Sequence, residues 1–433
     1  PEAPLPEILY LDEKTGEYAP RKGHSRASKT PKVIYPAGTD SATIEGAVPG
    51  AEGRVRLSYR RAGAAGWQQT EWQSVDPAKD YTCQIKITGL SAGSEYELKV
   101  DAAPLQNEAV TASIDGMFKT APDKTAEAPV NFIVTTGTSY GDKETDEGYQ
   151  FYGSALKLEP EFFVHTGDIL YYDGYAKNME LALWHWDRQY SLPNHVDFHR
   201  QMTSYFIKDD HDTWFNDCYP GQKTKFMGDF TFEQGVEIFL WEVPMGGKTY
   251  RTIRWGKDLQ IWMVEGRDFR SPNPAPDGPE KTIWGREQMD WFKSTVEASD
   301  ATFRVLISPT PVVGPDRMKK KDNHANSGFA HEGALIREFI STQKNMVSVC
   351  GDRHWQYHSI DDKTGTHEYA CGAGSDAHAG GFSMDLRTDE HQYLQIIGGF
   401  LSGEIQPGKK KSKLTMRHHL VDGSVAYEYS YTR

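Results

Sequence analysis

Two hydrophobic textures divide the chain. From Lys32 to about Thr120, short runs alternate apolar and polar at every second position, as in Thr43 to Gly46, Val55 to Arg60, Gln84 to Ile87 and Tyr96 to Val100. A repeat of two sends one face of each run into a core and the other to water, so these runs predict the strands of a small β-sandwich that closes at Met117 to Thr120. Ala121 to Ala128, with Pro122 and polar neighbours, predicts a linker. Beyond it, apolar runs of strand length recur at Phe132 to Thr136, Phe163 to His165, Tyr205 to Lys208, Leu259 to Glu265, Phe303 to Ser308 and Met346 to Cys350. Trp284 to Ala298 and Glu332 to Thr342 carry helical spacing instead. This rhythm predicts an α/β domain with a mostly parallel sheet under helices. Leu414 to Leu420 and Ser424 to Tyr431, around Val421-Asp422-Gly423, predict a closing hairpin. Residues 1–30, rich in Pro, Lys, Glu and Gly, lack periodicity and predict a surface extension. The expected organisation is thus an extension over 1–30, an all-β sandwich over 31–122 and an α/β domain over 129–433.

Three of the predicted strands end alike. Phe163 to His165 leads into Gly167-Asp168, Tyr205 to Lys208 into Asp209-Asp210-His211-Asp212, and Met346 to Cys350 into Gly351-Asp352-Arg353-His354. A Gly-Asp step alone is common in turns, and Asp-x-His alone is weak. Their conjunction at three strand tips is what carries meaning, because hard cations need several carboxylate and imidazole ligands converging from separate segments. Asp168 follows a glycine that permits close backbone approach, and Tyr171 lies three residues on. Four ionisable residues in succession at 209–212 repel one another unless cations or hydrogen bonds offset them. There Asp210 is the candidate ligand, His211 the imidazole near the reacting group, Asp212 the carboxylate that holds its tautomer, and Asp209 a supporting residue. Asp352 and His354 are two apart, so in an extended segment they share a face. Asp173-Gly174 reads as a turn, and Arg353 as a contact to substrate or protein.

Composition narrows the partners. With 38% hydrophobic and 25% charged residues over 433 positions, no run approaches a membrane span. A net charge of −13 argues against a nucleic-acid surface, whereas an anionic small substrate is compatible with cations that invert the local potential. The cysteines, Cys83, Cys218, Cys350 and Cys371, form no CxxC pair, which argues against a zinc ribbon or a dithiol redox motif. The chain begins at Pro1, which predicts processing or trimming. No sequence signal specifies an oligomeric state.

Gly-Asp-x-x-Tyr at 167–171, Asp-Asp-His-Asp at 209–212 and Gly-Asp-x-His at 351–354 resemble the blocks of the PhoD-like branch of the calcineurin-like metallophosphoesterases. Glu265 to Arg270 and Gly285 to Phe292 are similar to two further landmarks of that branch. The segment Ile87 to Tyr96 resembles the Leu-x-Pro-Gly-x-x-Tyr corner of fibronectin type III domains, with Ala92 where Pro is usual. The resemblance implies an αββα sandwich preceded by a small fibronectin-like domain, a dinuclear or multinuclear centre of iron, calcium, manganese or zinc, and hydrolysis of phosphate mono- or diesters by metal-bound hydroxide. It implies Asp168 as the ligand shared between ions, with Tyr171, Asp210, Asp352 and His354 completing the cage. His211 and Arg353 are then the catalytic candidates and Lys208 a candidate clamp on the substrate anion, while His324 is a candidate substitute for the histidine that wider relatives carry within Phe303 to Val312, which this chain lacks, or a substrate contact. It also implies a periplasmic or secreted protein.

The chain departs from that pattern at its first strand. Phe132 to Tyr140 holds neither the Cys ligand of the branch nor the Asp-x-His of remoter relatives, so Asp142 or Asp146 from the next loop is the candidate replacement. The lysines at 319–321 and 409–411 read as solvated faces. Two rival functions use the same residues: a sulfatase on the same scaffold, since a sulfate ester is also a tetrahedral anion, and a binding protein that kept the fold but lost part of the cage.

Overall fold

A computed structural model describes the strands Glu7–Leu11, Tyr18–Ala19 and Lys32–Ile34 and residues 53–433 except 318. The predicted strand at Thr43 to Gly46 lies outside the described residues. The first three strands form a small antiparallel sheet, so regular structure reaches into the stretch expected to be an extension. Gly53–Arg61, Glu95–Pro104 and Ala112–Lys119 form an antiparallel sheet, edged by Gln68–Gln69 and Gln73–Ser74. Tyr96 folds back so that its hydroxyl accepts from the Ser91 amide at 2.8 Å, a tyrosine corner of the kind found in β-sandwiches.

The expected strand at Gln84 to Ile87 does not form. Gln84 instead turns its amide onto the last carbonyls of the helix Phe232–Glu242, donating to Leu240 at 2.6 Å and to the Val243 oxygen at 2.9 Å. Those carbonyls lack partners within the helix, and a side-chain amide satisfies them. On the other side of this module, Met117 donates to Arg200 O at 2.7 Å and Lys119 to Thr203 Oγ1 at 2.9 Å. A side chain at Gly116 would sit 2.6 Å from that Arg200 oxygen, so glycine is what allows the two backbones to meet.

The remainder is built on two mixed sheets rather than one mostly parallel sheet. One orders Ser204–Phe206, Phe162–His165, Val130–Thr135, Phe400–Gln406, Lys413–His419 and Val425–Thr432, parallel in the first three strands and antiparallel thereafter. The other orders Arg251–Trp255, Leu259–Met263, Phe303–Ser308, Met346–Cys350, His367–Cys371, Gln356–Ile360 and His391–Gln395, with a parallel centre and antiparallel edges. Alternation decides how they stack. Phe132 and Val134 face inward with Phe162, Val164, Leu401 and Ile405, and meet Ile261, Val305, Ile307 and Val349 of the other sheet in one core. Ile133 and Phe163, one residue out of phase, face outward onto Tyr152, Ala155 and Phe198 of the helices Gln150–Leu156 and Pro193–His199. Trp262 and Leu306 likewise face Phe292, Val296, Ile336 and Ile340 of the helices Gly285–Glu297 and Ala330–Thr342. The layers are helix, sheet, sheet, helix, and the carboxyl ends of the central parallel strands open at the same edge. No helix among the described residues is long and apolar enough to cross a membrane.

Three carboxylates crowd where the amino-terminal module meets this sandwich. Burial pushes Glu242, at the helix end, up to about 9, assisted by Asp80 and Asp187, and Asp187 itself rises to about 7. Burial likewise raises the Asp80 carboxyl, so the protonated forms are favoured at this junction. The folded chain therefore retains protons that the unfolded chain releases between about pH 4.5 and 9, and stability falls as pH rises through that window. Glu242→Gln removes one such titration. Its denaturant midpoint should exceed that of the parent at pH 9 and decline less from pH 5 to 9; an unchanged slope would show that Glu242 is not held neutral.

Candidate metal centre

Two glycines and two strained aspartates shape the open edge. Gly167 has φ +100, and a Cβ there would lie 2.5 Å from Asp209 Cβ. A Cβ on Gly351 would lie 2.4 Å from Thr166 Oγ1 and 2.9 Å from the Pro309 oxygen, so this glycine lets the tips of the two sheets touch. The residues that follow, Asp168 at φ 56 and Asp352 at φ 59, both adopt the left-handed conformation. Few residues besides glycine tolerate it, Asp and Asn among them, and strain of about 1–3 kcal/mol persists only where surrounding structure imposes it.

These turns place carboxylates from both sheets within reach of one another. Donor atoms of Asp168, Asp210 and His211 lie within 4.8 Å of each other, as do those of Asp168, Asp209 and Asp352. Asp168 belongs to both groups and is fully buried, and its Oδ1 has no hydrogen-bond partner. Tyr171 Oη stands 3.3 Å from Asp168 Oδ2 and 3.2 Å from His354 Nε2, which is itself 3.1 Å from Asp168 Oδ2. Burial pushes the Asp168 and Asp209 carboxyls well up, and the neighbouring carboxylates add to it; Asp352 rises to about 6 for the same reasons. A buried, unpartnered carboxylate oxygen among other carboxylates is an oxygen-rich donor set that suits hard cations, so the residues present fit a metal centre.

The surrounding cations are mostly structural. Arg267, fully buried, reaches Asp209 with Nε at 2.6 Å and Nη2 at 2.5 Å, and stands 3.6 Å from Asp210. It was not singled out from sequence, although it sits within the Glu265 to Arg270 landmark. Lys208 has no exposed side chain, and its ammonium is held by Glu265 at 2.5 Å and Asp268 at 2.6 Å. His324 is equally enclosed, bonded to Glu332 at 2.8 Å and packed on Trp284. Neither faces solvent, so the structure does not place them as substrate contacts. Arg353 is 1% exposed and paired with Asp352, Asp316 and Asp322 at 2.8, 2.9 and 3.3 Å, which leaves its guanidinium holding a carboxylate of the cluster.

His211 departs from expectation in its partner. Its Nδ1 bonds to Asp173, in the turn after Tyr171, and its ring packs over Tyr171 at 4.3 Å between centroids. Burial opposes its charge, but Asp173, Asp210 and Asp168 outweigh that and hold its pKa well above the ordinary range. Asp212 turns inward and accepts from the Asp209 and Ile169 amides at 2.6 and 3.1 Å, tying two tips together. Of the lysines at 319–321, expected to be solvated, Lys319 and Lys321 are exposed, whereas Lys320 folds in to pair with Asp217 at 3.0 Å. Asp217 in turn donates its amide to Asp210 Oδ2 at 2.5 Å. Asp146 is exposed, while Asp142 reaches the cluster through His378, whose Nδ1 it meets at 2.7 Å.

The sequence model of the PhoD-like phosphatase family matches residues 132–395, more than half of the chain. The chain belongs to the PhoD-like phosphatase family. A solved structure of PhoD superposes with a TM-score of 0.70 at 15% identity, over 89% of this chain and 84% of that one. The purple acid phosphatase PPD1 from yellow lupin (Lupinus luteus) seeds superposes with a TM-score of 0.63 at 11% identity, over 88% of this chain and 69% of that one. At such identities the likeness concerns the fold. No curated protein matches the sequence significantly. Family membership and the donor clusters together support a metal-dependent phosphoesterase on an α/β fold.

Arg267 offers a direct test of this charge arrangement. Arg267→Met leaves Asp209 buried without its partner and should lower stability by about 3–5 kcal/mol. Adding Asp209→Asn should recover part of that loss in a denaturation cycle; additive losses would show that the two groups do not interact.

Proposed function

We propose that the cluster at the strand tips hydrolyses phosphate mono- or diesters, in the manner of an alkaline phosphatase or phosphodiesterase, with a dinuclear or multinuclear metal centre. One observation carries this reading: Asp168 belongs to both donor groups and keeps a buried oxygen without a partner. Asp168 would be shared, with Tyr171 and His354 beside it holding one cation and Asp210 and Asp352, one from each donor group, a second, from among iron, calcium, manganese and zinc. Bound there, such cations activate water near neutral pH and neutralise charge on the equatorial phosphate oxygens.

The chain's own groups divide the rest of the work. Asp173 accepts the Nδ1 hydrogen bond of His211, and with Asp210 and Asp168 it favours the protonated ring, whose Nε2–H would give its proton to the departing oxygen. Arg353, enclosed by three aspartates, positions Asp352 rather than touching the ester. Lys320, half-buried, paired with Asp217 and Asp322 and acting electrostatically on Asp210 and Asp352, would meet the anionic substrate. The amino-terminal part is read as an extension over 1–30 and a fibronectin type III-like sandwich over 31–122, supported by the antiparallel sheet and the Tyr96 corner, with catalysis in 129–433. A periplasmic or secreted location rests on the family resemblance.

Nitrophenyl phosphate or bis-nitrophenyl phosphate should be turned over, and nitrophenyl sulfate should not; the reverse preference would make the protein a sulfatase. Chelation should abolish that turnover and metal should restore it. Asp210→Ala and His354→Ala should each lower metal content and reduce kcat/KM about 100-fold or more. If both variants keep parental metal content and rate, the site is elsewhere. Lys320→Ala should raise KM about tenfold or more with a smaller change in kcat, the scale of one charge-assisted hydrogen bond; an unchanged KM would remove Lys320 from the substrate site.

A further inference from the structure

The tip of the first strand of the sandwich, Val130–Thr135, supplies no metal-binding side chain. Thr136 bonds to the Gly167 oxygen at 3.0 Å, and Thr138 to the Ile169 oxygen at 2.8 Å and to His165. Between them Gly137 adopts φ +59, and a Cβ there would lie 3.0 Å from His354 Cδ2 and 3.1 Å from His378 Cδ2. Two imidazoles occupy the space that a side chain on this strand tip would need.

One of them, His378, is absent from the sequence-derived cage, yet its Nε2 lies 2.6 Å from Tyr171 Oη. Tyr171 Oη is thus the hub of three donors, at 2.6 Å from His378, 3.2 Å from His354 and 3.3 Å from Asp168. Ligands sharing one ion sit roughly 3 Å apart, because metal bonds to oxygen and nitrogen are about 2.0–2.2 Å long and open at angles between octahedral and tetrahedral. The His354 and His378 rings are 4.1 Å apart between centroids, and the His378 side chain is 7% exposed.

The backbone is built to deliver this ring. The loop after the strand His367–Cys371 is stitched to the first strand tip, with Ala373 bridging Thr136 and the Gly374 amide donating to Thr136 O and Gly137 O at 3.1 and 3.0 Å. Beyond the histidine, the Gly380 amide donates to the His354 oxygen at 2.9 Å, so the loop is tied on both sides of His378. Asp142 accepts from Nδ1 at 2.7 Å, which directs Nε2, the other ring nitrogen, at Tyr171 Oη. A carboxylate behind the ring is the usual support for such a ligand.

We propose that His378 is a metal ligand of the site formed by Asp168, Tyr171 and His354, filling the place left by the first strand, with Asp142 as the residue that orients it. The inference rests on the metal-centre reading above and adds a residue to it. Metal content and affinity for manganese and zinc can be measured on the purified full chain, with X-ray absorption on the zinc form counting imidazole ligands. His378→Ala should lose one ion per chain or bind it at least tenfold more weakly, and the mean imidazole count per zinc should fall. Asp142→Asn should keep the stoichiometry and weaken affinity about 10–100-fold. Asp168→Asn is the control. If it sheds metal while His378→Ala keeps parental stoichiometry, affinity and imidazole count, the assignment of His378 is overturned and the wider reading stands. If neither variant changes metal binding, the metal-centre reading itself has failed.

Discussion

The constraint on which this structure turns is electrostatic. Asp168, Asp209, Asp210 and Asp352 are brought together from three strand tips on two sheets, the first three buried and Asp352 partly so. Burial and mutual repulsion push the Asp168, Asp209 and Asp352 carboxyls toward the neutral form unless positive charge is supplied. Arg267 supplies it to Asp209 and, more distantly, to Asp210, while the buried oxygen of Asp168 remains without a donor. A cation-binding centre resolves that imbalance directly. The local strain is consistent with it: two aspartates in the left-handed region, each after a glycine that admits another backbone, persist because the packing of both sheets imposes them.

The basic residues around this centre sort by access to water. Lys208, Arg267 and Arg353 have side chains with almost no exposure, and each is occupied by two or three carboxylates. Such groups fix the position of acids and cannot approach a diffusing ester without being stripped of partners at high cost. His211 and Lys320 retain partial exposure, Lys320 while pairing with Asp217 and Asp322. This division explains why residues adjacent in sequence, such as Lys208 and Asp209 or Asp352 and Arg353, serve the site in different ways. At strand tips, neighbouring side chains leave in different directions, and only one of each pair need face the cluster.

The amino-terminal module is joined to the sandwich by polar contacts at defined points. Gln84 closes the end of the helix Phe232–Glu242, and the strand Ala112–Lys119 meets Arg200 and Thr203 through backbone bonds. Gly116 makes the second contact possible. The same helix end holds the acidic trio of Asp80, Asp187 and Glu242, so the junction is sensitive to proton concentration in a way that the metal centre need not share.

The apolar runs and their periods were legible in the sequence. Phe303–Ser308 and Met346–Cys350 form where their mostly apolar character requires, the helices over 285–297 and 330–342 follow their spacing, and the closing hairpin stands within a residue or two of its expected bounds. The acidic steps at three strand ends, Gly-Asp at two of them, likewise pointed to Asp168, Asp210, Asp352 and His354, and the fold brings these segments to one edge. What a linear chain could not disclose was partnership across distance. That Asp173 rather than Asp212 orients His211, that Lys208, His324 and Arg353 are enclosed by acids, and that Arg267, Lys320 and His378 stand at the centre all depend on loops separated by tens to hundreds of residues meeting at one edge. Local sequence determines which residues can ligate, pair or bend; long-range packing of two sheets decides which of them are near enough to do so, since electrostatic and hydrogen-bonding energies fall away within a few ångströms.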